Sequence, residues 1–463
     1  PFRNRASPSR KSLAALLTLA TVACATPVDP GADYDRVAAE VRLITGVEQP
    51  YHPDAAPNDV PGRVQALLAD GLHADEAVRL GLLLHPRLQA GYRLVGMAHA
   101  ARVQAGLLTN PSIMAALRLP ASGLAGIEAS LFTGLSDLWQ LEEREAVAER
   151  SLARQILAVA DDAAALAAEI RAAHAEAVGA QAHLAVADEH AALIDELGEL
   201  VERRVQAGAA TEQDGQRARL ARLDATVAVR DAELDAARSA GRLLSALGLE
   251  RAPEDLRLVA DPVDTLPAPR DDASLRELAL ARRLDLRVAR AWLAEARAER
   301  VRQGGLGDQP FDAGLSAERE DRGWLVGPAV RVELPVFDDN TAVEAAAIED
   351  VARRERMLAD VRLTVIHDVT VAGARVRTAR EVLTLHADGL LPGAERSLAL
   401  TQRGLEAGTS TLTEALDAQG AVLVAQRKLV ERRRDLTLAL GALERATGCA
   451  RELLLEISTE DLP

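Results

Sequence analysis

Hydrophobic and polar residues along this chain follow two periods. Most of it repeats every three to four residues, as amphipathic helices do, and four short runs alternate strictly, as half-buried strands do. Ala74–Leu107 reads as helix with an interruption at His85-Pro86, and Asn110-Pro111 stops it. Two alternating runs follow. Ser112–Leu119 places Ile113, Ala115, Leu117 and Leu119 on one face, and Gly126–Phe132 places Ile127, Ala129 and Leu131 opposite Glu128 and Ser130. The turn-rich Pro120-Ala-Ser-Gly-Leu-Ala between them predicts a hairpin. From Asp137 to about Val205 only isolated Gly179 and Gly198 weaken a helical pattern. At ~1.5 Å per residue that helix spans on the order of 100 Å. Gln206-Ala-Gly-Ala-Ala-Thr turns the chain into a second helix, about Glu212–Leu247.

After a proline-rich connector the plan starts again. Ala273–Gln303 reads as one helix. In the next hairpin Phe311, Ala313, Leu315 and Ala317 oppose Asp312, Gly314, Ser316 and Glu318. Glu320-Asp-Arg-Gly323 turns it, and Trp324, Val326, Val330, Val332 and Leu334 then oppose Gly327, Ala329, Arg331 and Glu333. A long helix from about Thr341 towards Gln402 is weakened near Gly389 and Pro392. Gly404-Leu-Glu-Ala-Gly-Thr-Ser turns the chain into the closing helix, Thr413–Thr447. The register of the repeat is visible: Gly208 and Thr211 stand against Gly408 and Thr411 at an offset of 200, Arg87 against Arg287 likewise, and Pro111 against Pro310 at 199. This gives residues 67–249 and 273–448 as two repeats, 250–272 as connector and 449–463 as a tail.

The amino terminus adds a location. Arg3, Arg5, Arg10 and Lys11 precede an apolar run, Leu13–Ala23, too short for a permanent membrane helix, and Leu19-Ala-Thr-Val-Ala-Cys24 closes it. Residues 1–23 are read as a signal peptide and Cys24 as a lipidation site, against an ordinary secretory signal with an incidental cysteine. Prolines 27, 30, 50, 53, 57 and 61 make 24–66 mainly an extended arm, with one short helix at most near Tyr34–Thr45. Composition narrows the class. Apolar residues are 48% but aromatics only 2%, so the content is chiefly Ala, Leu and Val, which suits close-packed helices. A formal charge of −16 argues against a nucleic-acid partner. Two cysteines build no disulfide framework.

No later segment is apolar over the ~18 residues a membrane helix needs, so any crossing must use strands. Each repeat offers two strands of roughly the right length. One face is apolar, and the other carries Arg118, Glu128, Asp312, Glu318, Arg331 and Glu333, the arrangement of a lipid-facing wall around a wet lumen. Four strands cannot close a barrel, and an open edge in lipid leaves amides unpaired. Closure therefore requires several chains. A soluble hairpin packed on its own helices would alternate in the same way.

Three motifs, in order and at the right separation, then acquire meaning: Gly327-Pro-Ala-Val-Arg-Val-Glu-Leu-Pro-Val-Phe-Asp, Ala407-Gly408-Thr-Ser-Thr411 and Leu416-Asp-Ala-Gln419. With the repeat they make the chain, from about Leu67 to Gly448, resemble the TolC-type outer-membrane efflux channels. The strand-to-helix joint Pro335, Phe337 and Asp338 looks most like the heavy-metal-exporting branch. The first repeat departs from this joint, with Phe132-Thr-Gly-Leu-Ser-Asp137. The resemblance implies a mainly α fold with a small β part. Two helical-hairpin repeats and four strands per chain would contribute to a homotrimeric 12-stranded barrel and a periplasmic α-barrel. It implies a passive exit duct that lies in outer-membrane lipid and joins a periplasmic adaptor and an inner-membrane transporter. By it, the hairpin tips at Gly208, Thr211, Asp214, Gly408 and Thr411 contact the adaptor. Glu414 and Asp417 would line the periplasmic aperture, with Arg217 in place of the second acid in the first repeat. Trp139 and Trp324 make at most a thin aromatic girdle.

Other classes fit less well. No Walker loop, dinucleotide fingerprint or nucleophile elbow appears, so neither an enzyme nor a cofactor is expected. His183 and His190 with Glu189 are too few ligands for a metal site. A periplasmic coiled-coil scaffold or adaptor would explain the helices but neither the two hairpins nor the signal.

Overall fold

The computed structural model describes residues 28–455 except 49, 55–59, 119–125, 254–255, 305–308, 321–322 and 408. Cys24, Gly408 and the signal peptide thus lie outside the described residues. The first helices are α1 (Gly31–Thr45), α2 (Val60–Leu68), α3 (Ala74–Leu84) and α4 (Pro86–Ala105). The strands β1 (Ser112–Arg118) and β2 (Gly126–Gly134) follow, then α5 (Asp137–Gln206) and α6 (Glu212–Leu247). The second half repeats the order: α7 (Asp272–Arg282), α8 (Leu284–Gln303), β3 (Phe311–Glu320) and β4 (Gly323–Val332). It then has α9 (Thr341–Thr384), a π-helical segment at Leu385–Leu390, α10 (Leu391–Glu406) and α11 (Leu412–Thr447).

Three expectations change. The arm carries two helices, not one. Pro61 is tolerated in the first turn of α2 because an N–H there has no intrahelical partner anyway. Ala273–Gln303 is broken at Arg283, as its counterpart is at His85. The break turns both Leu284 and Leu286 inward, each 1% exposed, while the Arg283 guanidinium bonds Asp285 and reaches Asp368 at 2.7 Å. The weak point near Gly389 is a full π-helical turn, the signature of one extra residue in a helix.

Each repeat packs its own core where the short helices meet the long ones. Val37, Val41, Leu80, Tyr92, Ile156, Ile170 and Leu243 belong to the first, and Leu275, Val365, Val369, Leu436, Leu440 and Leu443 to the second. On the buried face of α5, Ala160, Ala163, Ala164 and Ala167 keep neighbouring backbones close. Ion pairs join the two cores, among them Arg445 to Asp161 at 2.7 Å and Arg154 to Glu295 at 2.5 Å. Trp292 lies between two guanidiniums, those of Arg154 and Arg354, at 4.0 and 3.9 Å. Helix α1 also ties the halves together: Tyr34 packs edge-on to Tyr92, and Glu40 takes both arms of Arg287 at 2.6 Å.

The four strands form one antiparallel sheet in the order β1-β2-β3-β4. Its register sets Ile113, Leu131, Leu315 and Pro328 in one row, and Ala115, Ala129, Ala317 and Val326 in the next. Among the described residues both outer edges are unpaired. That position suits Pro328, which has no N–H to give to a ladder.

Candidate functional site: the sheet, its joints and the hairpin tips

Among the described residues, the apolar side of the sheet is mostly uncovered, the contact of Phe311 with Trp139 at its helix end apart. Ile113 is 78% exposed, Val326 70% and Val330 61%. Such a surface on a single chain marks a lipid or protein interface. From Trp324 to Val332 the apolar positions of β4 cover ~26 Å along the strand, which a tilt of ~40° projects to ~20 Å. Exposed Leu334, just past the strand, carries the apolar run on towards the about 25 Å of a transmembrane barrel's lipid-facing band. Aromatic side chains stand at both limits. Trp324 is at the end away from the helices, while Phe337, fully exposed, and Trp139, which packs on Phe311 at 6.1 Å, are at the helix end. The girdle therefore includes Phe337 and Phe311 besides the two tryptophans.

The opposite face is polar and internally paired. Arg118 bonds Glu128 at 2.6 Å and Glu318 at 3.3 Å, crossing three strands. Arg331 pairs with Asp312 at 3.4 Å and lies over the Phe132 ring at 4.2 Å. One residue breaks the expected segregation. Because β3 runs on to Glu320, it sets Arg319 on the apolar side, opposite Ile127 and Trp324.

The two strand-to-helix joints are built differently. In the first, buried Asp137 accepts hydrogen bonds from the Thr109 backbone N–H and hydroxyl, both at 2.6 Å, and pairs with Arg144 at 3.0 Å. Burial alone would raise its pKa. The Thr109 hydrogen bonds and the Arg144 charge outweigh that and leave it lowered. The second joint contains Pro335, Phe337 and Asp338. There Asn340 adopts φ 64°, donates its side-chain amide to the Gln303 carbonyl at 2.7 Å, and so fastens the start of α9 to the end of α8. Asp338 accepts the Asn340 backbone N–H at 3.0 Å. Asparagine tolerates this left-handed conformation better than most residues.

At the far end the two helical hairpins stand side by side. Gly208 has φ 71°, as a tight interhelical turn needs. Thr211 and Thr411 are N-caps. The Thr211 hydroxyl accepts the Asp214 N–H at 3.2 Å, and the Asp214 carboxylate takes the Thr211 N–H at 3.1 Å. Glu414 repeats this, accepting the Thr411 N–H at 2.7 Å. Thr-x-x-Asp and Thr-x-x-Glu are the sequence signals of such reciprocal capping pairs. Glu414 is thus engaged in its own helix start, whereas Asp417 is exposed one turn on. Arg217 reaches across to the Thr413 hydroxyl at 3.0 Å and links the two hairpins. His183 and His190 are half-buried, with pKa values lowered chiefly by desolvation. Among the described residues no group of ligands could hold a metal.

Residues 275–449 match the family model described as outer membrane efflux protein. No curated protein matches the sequence. Among solved structures, a membrane protein from Pseudomonas aeruginosa aligns with a TM-score of 0.67 at 18% identity, covering 83% of this chain and 93% of that one. VceC of Vibrio cholerae aligns at 0.66 and 14%, covering 81% and 96%. The open state of the Neisseria gonorrhoeae outer membrane channel MtrE gives 0.65 and 14%, covering 84% and 89%. The chain thus carries an outer membrane efflux protein sequence over residues 275–449 and, over most of its length, shares the fold of the outer-membrane channels with which it aligns.

Proposed function

We propose that three copies of this chain close a 12-stranded barrel in the outer membrane and act as a passive exit duct for metal ions or small toxic molecules. The observation that carries this reading is the sheet: four antiparallel strands, both edges unpaired among the described residues, an exposed apolar face, and helices of up to 70 residues leaving one end. Four is an even number, so β4 of one copy meets β1 of the next antiparallel, and any whole number of copies closes without a parallel seam. A periplasmic coiled-coil scaffold would have no use for the exposed face.

In this reading α5–α6 and α9–α11 line a periplasmic tunnel. The tips at Gly208, Thr211, Asp214, Gly408 and Thr411 meet an adaptor that couples the duct to an inner-membrane transporter. Lipidation of Cys24 adds an anchor. Five residues separate it from Pro30, a reach of at most ~20 Å. The start of α1 is held on the barrel side of α4, where Asp33 meets His99 at 2.8 Å. Glu414 and Asp417 contribute acidic rings at the aperture. The test is purification in detergent followed by single-channel recording. A cation-preferring conductance from trimers, reduced in preference by Glu414→Asn with Asp417→Asn, is the expected result. A detergent-independent soluble monomer overturns the reading, and unchanged selectivity removes the two acids from the pore.

A further inference from the structure

We infer that Arg319, backed by Trp324, is a docking point for the phosphate-bearing headgroup of an anionic lipid in the leaflet away from the helices. The inference rests on the barrel reading above and adds a ligand to it. Among the described strand residues Arg319 is the one charge on the apolar side; its row-mates across the sheet are Leu117, Ile127 and Trp324. Every described acid of the strands sits on the opposite face or projects with it, where Arg118 and Arg331 already pair with Glu128, Glu318 and Asp312. Arg319 is exposed, and no described carboxylate of the strands shares its side.

Depth decides what that guanidinium meets. A cation on the lipid face of a barrel is destabilising by ~2–4 kcal/mol at the midplane and by ~0–1 near the interface. Arg319 occupies the last apolar row before the β3–β4 turn, about 20 Å above Val332 along the barrel axis by the tilt used above. It therefore stands at headgroup level. Trp324, directly opposite and 57% exposed, is the residue type that settles at that level. A planar guanidinium takes two phosphate oxygens at once, and the stem of Arg319 has only apolar neighbours to lie along. Threefold assembly would repeat the point around the rim.

The experiment places detergent-purified trimers of the full chain in nanodiscs of phosphatidylcholine mixed with phosphatidylglycerol and counts retained lipids by native mass spectrometry. Wild type is expected to retain phosphatidylglycerol about fivefold over its share, the factor for one cation at an anionic surface. Arg319→Gln should remove the preference, Arg319→Lys should keep part of it, and Arg118→Gln on the inner face should leave it intact. Inorganic phosphate in the buffer should not compete, which separates a lipid headgroup from a free anion. Wild type without preference, or Arg319→Gln with the wild-type preference, overturns the inference. Failure of wild type to insert at all would instead count against the barrel reading.

Discussion

At the scale of single residues, two positions in and under the sheet carry the sharpest consequences. Asp137 is 2% exposed and fully partnered, so Asp137→Asn exchanges a charge-assisted set of bonds for an amide that faces the Thr109 N–H with half its donors misplaced. A loss of about 1.5–3 kcal/mol is expected for hydrogen bonds to a buried charge, read as a lower melting temperature of the detergent-solubilised protein. The sign in acid follows from its lowered pKa. Its contribution is complete above the ordinary carboxylate value and is lost as pH falls through the depressed folded-state value. The Asp137→Asn variant should therefore lose less stability than wild type on acidification. Gly314 is constrained by contact. A Cβ there would collide with the backbone carbonyl of Leu131 on β2 and crowd the Phe132 Cα at 3.0 Å, and backbone cannot swing aside as a side chain can. Gly314→Ala should sharply reduce assembled trimer on cold gels, while Gly327→Ala, with open space around it, should not.

At the scale of elements, the periods of the chain were a faithful guide and its charges were less so. The helix from Asp137 and the four strands were legible because nothing interrupts a 3.6-residue pattern for 70 residues and because alternation is unambiguous beside it. The side that Arg319 takes is hidden in the sequence, since the apolar–polar alternation of β3 ends at Glu318 while two further ladder pairs extend the strand to Glu320. The capping pairs were hidden by their own likeness to pore acids: a carboxylate three residues after a threonine serves either purpose until its hydrogen bonds are seen. Their energetic role is testable at this scale. Thr211→Ala and Thr411→Ala should each destabilise their helix start by about 1 kcal/mol, visible as faster amide exchange over 212–216 and 412–416. The break at Arg283 was invisible because its cause is distant, a contact with Asp368 85 residues away.

At the scale of the whole molecule, one chain exposes an apolar wall that water does not tolerate and two strand margins that lipid does not tolerate. Both deficits vanish together on ring closure. Chemical cross-linking in native outer-membrane vesicles should therefore give dimers and trimers and stop there; a ladder continuing past three would exclude a closed ring of this size.

The two repeats are alike in plan but not in stiffness. Helix α5 runs through without a flaw, whereas its counterpart is divided into α9 and α10 by the Leu385–Leu390 turn, with Gly389 inside it and Pro392 and Gly393 just after it. A tube of three such chains is built like a cask whose staves alternate, three rigid and three jointed at one level. Any widening of its inner mouth then proceeds in triangular fashion rather than uniformly around the circumference.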